Sequence, residues 1–197
     1  MSVEIARIGA DQLCRYQRVP IHFRVDSQLR VEPLEGGLGG LRLVEERVDP
    51  PYVKDYDAVL GGSDESPAHW PELFNVSRWG FFLAIARGQD IGGAAVAFDT
   101  PGVNMLEARS DLAVLWDIRV HPDERRHGIG SLLFQGAADW ARLQGCRQLK
   151  VETQNVNVRA CRFYARQGCH LGSIHRYGYA GCPDVAHEAM LLWYLDL

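Results

Sequence analysis

Apolar residues recur along this chain in two rhythms. Short runs rich in β-branched and aromatic residues alternate with turn formers. They predict strands over Val3–Ile8, Leu41–Val48, Phe81–Arg87, Ile91–Phe98, Leu112–Val120, Gln148–Thr153, Leu171–Tyr177 and Glu188–Tyr194. Gly88-Gln89-Asp90 reads as a hairpin turn between two of them. A helical rhythm carries Ile129, Leu132, Leu133, Gly136, Ala137, Trp140 and Leu143, with Gly145 as the stop. A second helix starts at the cap Asn157, runs through Val158, Cys161 and Tyr164, and ends at Gly168. A weaker helical pattern covers Asp11–Arg18.

This order predicts a mixed α/β (α+β) fold. A mostly antiparallel central sheet is flanked by helices, with one parallel strand–helix–strand passage. At 197 residues the chain reads as one domain spanning 1–197. Glu35-Gly36-Gly37-Leu38-Gly39-Gly40, Asp49-Pro50-Pro51 and Gly61–Pro67 interrupt regular structure, so residues 32–77 read as a loop-rich elaboration. Asp99–Asp111 reads as a long connection.

Composition narrows the partners. Hydrophobic residues at 47% and charged residues at 23% fit a soluble globular protein. The start Met1-Ser2-Val3-Glu4-Ile5 lacks the basic and apolar regions of a signal peptide. Apolar runs such as Gly80–Ala86 are too short to span a bilayer, so no membrane partner is expected. The five cysteines form no CxxC pair, and the expected setting is reduced and cytoplasmic. The histidines show no HxxxH spacing, and no metal is expected. Charge is unevenly spread. Residues 1–118 carry 11 Lys/Arg and 18 Asp/Glu, a net of −7, whereas residues 119–197 carry 10 and 7, a net of +3. A polyanionic ligand suits the second part and a cationic one the first. No basic run or arginine-rich face points to nucleic acid.

The most informative segment follows Val120. His121-Pro122-Asp123-Glu124 leads into Arg125-Arg126-His127-Gly128-Ile129-Gly130, and a helix begins at about Gly128. Unpaired N–H groups and the dipole at a helix N-terminus favour an anion there. Gly128 and Gly130 let it approach the backbone, and Arg125 and Arg126 add charge. The glycines also fit a turn with no ligand. The segment is not a Walker loop, because no Gly-Lys-Ser/Thr follows. Nor is it the GxGxxG fingerprint, because the last position is Leu133.

Asp117-Ile118-Arg119-Val120-His121-Pro122, then Arg125-x-x-Gly128-x-Gly130 and an amphipathic helix, resembles the acyl-CoA signature of the GNAT superfamily of N-acetyltransferases. A second signature of that superfamily is matched by Asn157-Val158-Arg159-Ala160-Cys161-Arg162-Phe163-Tyr164 followed by Gly168. The resemblance covers about residues 80–195. Cys169 stands where Phe usually follows the glycine, and residues 99–111 read as an insertion. Within the superfamily, Glu152–Val158, Glu188–Leu195 and Pro51–Tyr56 are similar to streptothricin acetyltransferases.

The resemblance implies acetyl-CoA as acyl donor and direct transfer to a primary amine. It implies donor contacts from Ile118, Arg119, Val120, Arg125, Arg126, His127, Gly128, Ile129, Gly130, Ser131, Asn157, Ala160 and Tyr164. Tyr164 matches the tyrosine that protonates the departing thiolate, and Asn157 would bond the pantetheine arm while it caps its helix. An alkyl amine of pKa about 10.4 needs about 4.6 kcal/mol to be presented neutral at pH 7. Asp117, Glu152 or water alone can take its proton. Cys161 and Cys169 lack a His–Asp arrangement and read as small buried hydrophobes. Trp79 and Trp116 suit either a substrate pocket or the core. The expected acceptor is a small cationic amine such as a streptothricin-like antibiotic. The alternatives are a protein or peptide acceptor, or a non-catalytic acyl-CoA-binding regulatory module. A homodimer is left open.

Overall fold

A computed structural model describes residues 2–59 and 66–197. In chain order its elements are β1 (Glu4–Ile8), α1 (Leu13–Tyr16), β2 (Phe23–Pro33), β3 (Leu41–Lys54), α2 (Tyr56–Val59), α3 (Trp70–Leu73), β4 (Gly80–Ala86), β5 (Gln89–Phe98), β6 (Leu112–Val120), α4 (Ile129–Leu143), β7 (Gln148–Gln154), α5 (Val158–Arg166), β8 (His170–His175) and β9 (Met190–Asp196). This is the mixed α/β architecture expected, with a mostly antiparallel sheet and flanking helices. The chain divides into two compact units. One holds residues 1–22, 55–150 and 196–197, and the other holds 23–54 and 151–195.

In the first unit the strand order is β1-β4-β5-β6-β7. Strands β4 and β5 and the first part of β6 bury nearly every residue, which explains their long apolar runs. The β4–β5 turn is Arg87-Gly88, both with positive φ (52° and 74°), and Ala86 pairs with Gln89. Two positive φ values match the twist of a two-residue hairpin. The expected Gly88-Gln89-Asp90 turn is therefore shifted, and Gln89 and Asp90 belong to β5. Helix α4 buries Ile129, Leu133, Phe134, Ala137, Ala138, Trp140 and Ala141. Leu132 and Leu143, counted in the predicted stripe, lie on its exposed side at 47% and 84%. The expected helix over 11–18 shortens to Leu13–Tyr16 after a 3-10 turn at Ala10–Gln12. The connection 99–111 packs down on buried Val103 and Leu106, and Lys150 donates to the Met105 carbonyl (3.2 Å) and the Glu107 carboxylate (2.6 Å).

In the second unit β7, β9 and β8 are neighbours, and β2 and β3 form a separate antiparallel ribbon. This ribbon corrects the loop-rich reading of residues 32–77, since β3 runs from Leu41 to Lys54 and β2 was not foreseen. The Asp49-Pro50-Pro51 interruption survives in another form. Pairing jumps from Val25–Tyr52 to Ser27–Arg47, so the prolines fall where the ladder is irregular. Proline has no N–H to give a ladder, and such irregularities are where strands accommodate it. The ribbon leans on polar cross-strand pairs: Arg30 and Gln28 donate to Glu46, Arg42 to Glu32, and Ser27 to Glu45. The Glu35–Gly40 loop connects its strands as expected, while most of the Gly61–Pro67 break falls on residues 60–65, outside the described residues.

Asn155 fastens the second unit internally. Its side chain donates to the Leu29 carbonyl (3.0 Å) and accepts from the Ala189 N–H (2.8 Å). Trp193 donates from its indole to Thr153 Oγ1 at 3.0 Å. Lys54 and Glu188, both buried, form an ion pair with a 2.5 Å contact to Glu188 Oε2.

Candidate active site

In the first unit the pairing of β5 with β6 sets the site residues in place. Ala95 pairs with Asp117 and Val96 with Leu115, so Trp116 is the extra residue of a β-bulge. A bulge re-aims the side chains that follow it. Asp117 and Arg119 emerge beyond it on the same face of β6. Their hydrogen bonds define a tight cluster. Arg119 donates to both carboxylate oxygens of Asp117, Nε to Oδ1 at 2.9 Å and NH2 to Oδ2 at 2.8 Å. It also donates to both oxygens of Asp57 at 3.1 Å each, and to the Val19 carbonyl at 3.1 Å. Tyr16 donates its hydroxyl to Asp117 Oδ1 at 2.5 Å.

Burial makes this cluster strict. The Arg119 side chain is 1% exposed, Asp117 is 11% and Asp57 is 37%. The guanidinium lies 5.1 Å from the centre of the Tyr16 ring, which supports it from below as a cation–π contact. Gly93 makes room for that ring, because a Cβ there would sit 2.5 Å from it. Burial first, and the neighbouring Asp117 carboxylate next, push the Tyr16 phenol well above its ordinary value. Burial pulls against the charge of Arg119, but Asp117, Tyr16 and Asp57 outweigh it and raise its proton affinity further. The cluster is thus a neutral phenol, one guanidinium and two carboxylates. The backbone of Arg119 remains in the β5–β6 ladder, paired with Gly93, and Ile118 and Val120 pair with Ala94 and Gly92.

Beyond Val120 the chain makes a short turn at Pro122–Glu124 and enters α4 through Arg126 (φ 70°) and Gly128 (φ 83°). Gly128 is the helix N-cap, and among the described residues no side chain caps the helix there. A Cβ on Gly128 would meet nothing within 4 Å. Arg126 and His127 are exposed, Ile129 is buried, and Ser131 lies in the first turn. Uncapped donors, a helix dipole and an exposed arginine suit a phosphate-bearing ligand. Arg125 contributes differently. Its guanidinium donates to the carbonyls of Val120 (2.9 Å) and His22 (2.8 Å), tying the loop to the segment after α1.

In the second unit Asn157 caps α5, its Oδ1 accepting from the Ala160 N–H at 3.1 Å. Tyr164 is buried in that helix, its ring 5.2 Å from that of Phe163. Glu152, on β7, accepts from the Tyr179 hydroxyl at 2.5 Å. Burial pushes the thiols of Cys161 and Cys169 up to about 11, which leaves them protonated and poorly nucleophilic. In the first unit Trp79 is buried, with its indole donating to Thr100 at 2.8 Å. Trp116 is half-buried, against Phe74 and Trp79 at 5.2 and 5.4 Å between ring centres.

Sequence reasoning missed Tyr16 and Asp57. Both reach Asp117 or Arg119 across long stretches of chain, 101 and 62 residues. Their available signals were a polar-edged aromatic in a weak helix and an acid one position beyond the Pro51–Tyr56 segment.

Comparison with known proteins completes the assignment. A model of the acetyltransferase (GNAT) family matches residues 45–169. Streptothricin acetyltransferase of Streptomyces lavendulae is 30% identical over 154 residues, 78% of this chain and 75% of that one. Streptothricin acetyltransferase A of Bacillus subtilis (strain 168) is 28% identical over 150 residues, 76% of each chain. A Bacillus anthracis crystal structure in complex with acetyl coenzyme A shares the fold with a TM-score of 0.76 at 24% identity, covering 100% of both chains. The family match spans well over half of the sequence and includes the bulge, the Arg125–Gly130 loop and α5, so the chain belongs to the acetyltransferase (GNAT) family and is an acetyl-CoA-dependent acetyltransferase.

Proposed function

We propose that this enzyme acetylates a primary amine on a small cationic molecule, with a streptothricin-like antibiotic as the leading acceptor. The observation that carries the reading is the similarity to streptothricin acetyltransferases over three quarters of the chain. The excess of carboxylate over guanidinium around Asp117 supports it, because a cationic acceptor is favoured where negative charge is in surplus.

In this reading the amine nitrogen attacks the acetyl carbonyl carbon and the C–S bond breaks. Asp117 takes the proton that the amine sheds, directly or through water. Among the described residues, Tyr16 and Arg119 fill three of the four lone-pair sites of its carboxylate, which leaves one for that proton. Tyr164 donates its phenolic proton to the leaving thiolate. Asn157 holds the pantetheine arm, and the uncapped start of α4 with Arg126 holds the pyrophosphate. Glu152 is the second candidate base.

The test is acetyl transfer by the purified enzyme, followed by thiol release, with streptothricin, simple diamines and lysine-bearing peptides as acceptors. Streptothricin is expected to give the highest kcat/KM. Transfer to peptides alone would overturn the acceptor assignment, and acetyl-CoA binding without transfer to any amine would favour a regulatory module. Tyr164→Phe should lower kcat about tenfold or more with little change in the KM for acetyl-CoA. An unchanged kcat removes Tyr164 as the proton donor.

A further inference from the structure

Three residues around Asp117 transfer neither proton nor acetyl group in the steps above. Tyr16 comes from α1, Asp57 from α2 and Arg119 from β6. We propose that Tyr16, Arg119 and Asp57 are positioning residues that fix the Asp117 carboxylate and balance the charge around it. This rests on the reading of Asp117 as the proton acceptor.

The Tyr16 hydroxyl donates to the charged form of Asp117 at 2.5 Å and favours it. Arg119 favours it too, through two near-parallel bonds that also fix the plane of the carboxylate. Asp57 acts in the opposite sense. It shares the same guanidinium through two bonds of 3.1 Å and adds a second negative charge, so Arg119 is not given to Asp117 alone. Among the described residues, the titratable and charged groups bonded into this cluster are these four. An isolated carboxylate paired bidentately with a buried arginine is a poor base. Sharing that arginine with a second carboxylate leaves two acidic side chains on one guanidinium.

Geometry also explains why a tyrosine stands at position 16. Its ring fills the space over Gly93, and Arg119 lies across it. Phenylalanine would keep both contacts and lose only the bond to Asp117. Asparagine at 57 would keep the shape of that side chain and lose its charge, on a residue already more than a third exposed. Both substitutions are conservative enough to leave the fold in place.

The prediction is a pair of opposite displacements. Asp117→Asn should remove the acid limb of the kcat/KM profile for the amine. In Tyr16→Phe that limb should move to higher pH by about half a unit or more, and in Asp57→Asn to lower pH by a similar amount. The KM for acetyl-CoA should stay within about twofold in both. A loosened core cannot move one limb in two directions. Displacements in the same direction, or none, would overturn the network while leaving Asp117 as the base. If Asp117→Asn itself leaves the limb in place, the proton-acceptor reading fails first. Circular dichroism of each variant separates either outcome from misfolding, and Arg119→Lys, which keeps charge but not the paired bonds, should lower kcat at least tenfold.

Discussion

Arg119 in one compact unit and Lys54 in the other are both cations withdrawn from water, but their surroundings differ in kind. Lys54 pairs with the buried carboxylate of Glu188, one cation against one anion. Arg119 is divided between Asp117 and Asp57, and the second of these still meets solvent. A balanced buried pair acts as a fixed point of the structure. An unbalanced one keeps a surplus of negative charge and an unfilled acceptor position, which is what a site for a protonated amine requires. The difference separates a structural ion pair from a candidate catalytic one without reference to position in the chain.

Three experiments test that contrast, in descending order of expected effect. Lys54→Met removes the cation paired with the buried Glu188 carboxylate and should cost about 3–5 kcal/mol of stability in urea unfolding. The double variant Lys54→Met with Glu188→Leu should recover most of this. By contrast, Asp57→Asn should cost about 1 kcal/mol or less, because Asp57 is partly solvated. Equal losses would dissolve the distinction. Gly93→Ala drives a Cβ toward the Tyr16 ring and should cost about 1–3 kcal/mol, with a parallel fall in acetyl transfer as the ring and Arg119 shift. If transfer is untouched, the seat of Tyr16 is not part of the site.

The third test uses alkali. Tyr16 is kept neutral in the fold by burial and by Asp117, so its folded value lies above its unfolded one near 10. Its contribution is therefore complete below about pH 10 and is lost as pH rises through the folded value. Above pH 10 the wild type should lose stability faster than Tyr16→Phe, by up to about 1.4 kcal/mol per pH unit. Parallel curves would show that the phenol ionises as freely folded as unfolded.

The legible parts of the fold were those where one physical signal dominates. Strands β4 and β5 and the start of β6 are buried almost throughout, and α4 carries an apolar stripe, so periodicity exposed them. Strand β2 was hidden because Asp26-Ser27-Gln28 interrupts its apolar positions and its partner is held by ion pairs. The turn of the β4–β5 hairpin was misplaced because Arg87 adopts a positive φ that a glycine-seeking reading passes over. Asp117, Asn157 and Tyr164 stood out as candidates because their neighbours along the chain form compact motifs. Tyr16 and Asp57 did not, because only folding brings them to Arg119. Arg125 was read as a ligand for phosphate, while its guanidinium also braces the loop against the carbonyls of Val120 and His22.

The bulge at Trp116 carries a consequence for how such a chain can change over evolutionary time. Every side chain after it owes its face to that one extra residue. Loss of a single codon in β6 would turn Asp117 and Arg119 to the other side of the sheet, where neither Tyr16 nor Asp57 could meet them. Substitution within β6 is thus open to gradual drift, whereas a change of length there is not. Insertions and deletions should accumulate instead in the 34–40 hairpin loop and the 99–111 connection, where an added residue alters no strand's parity.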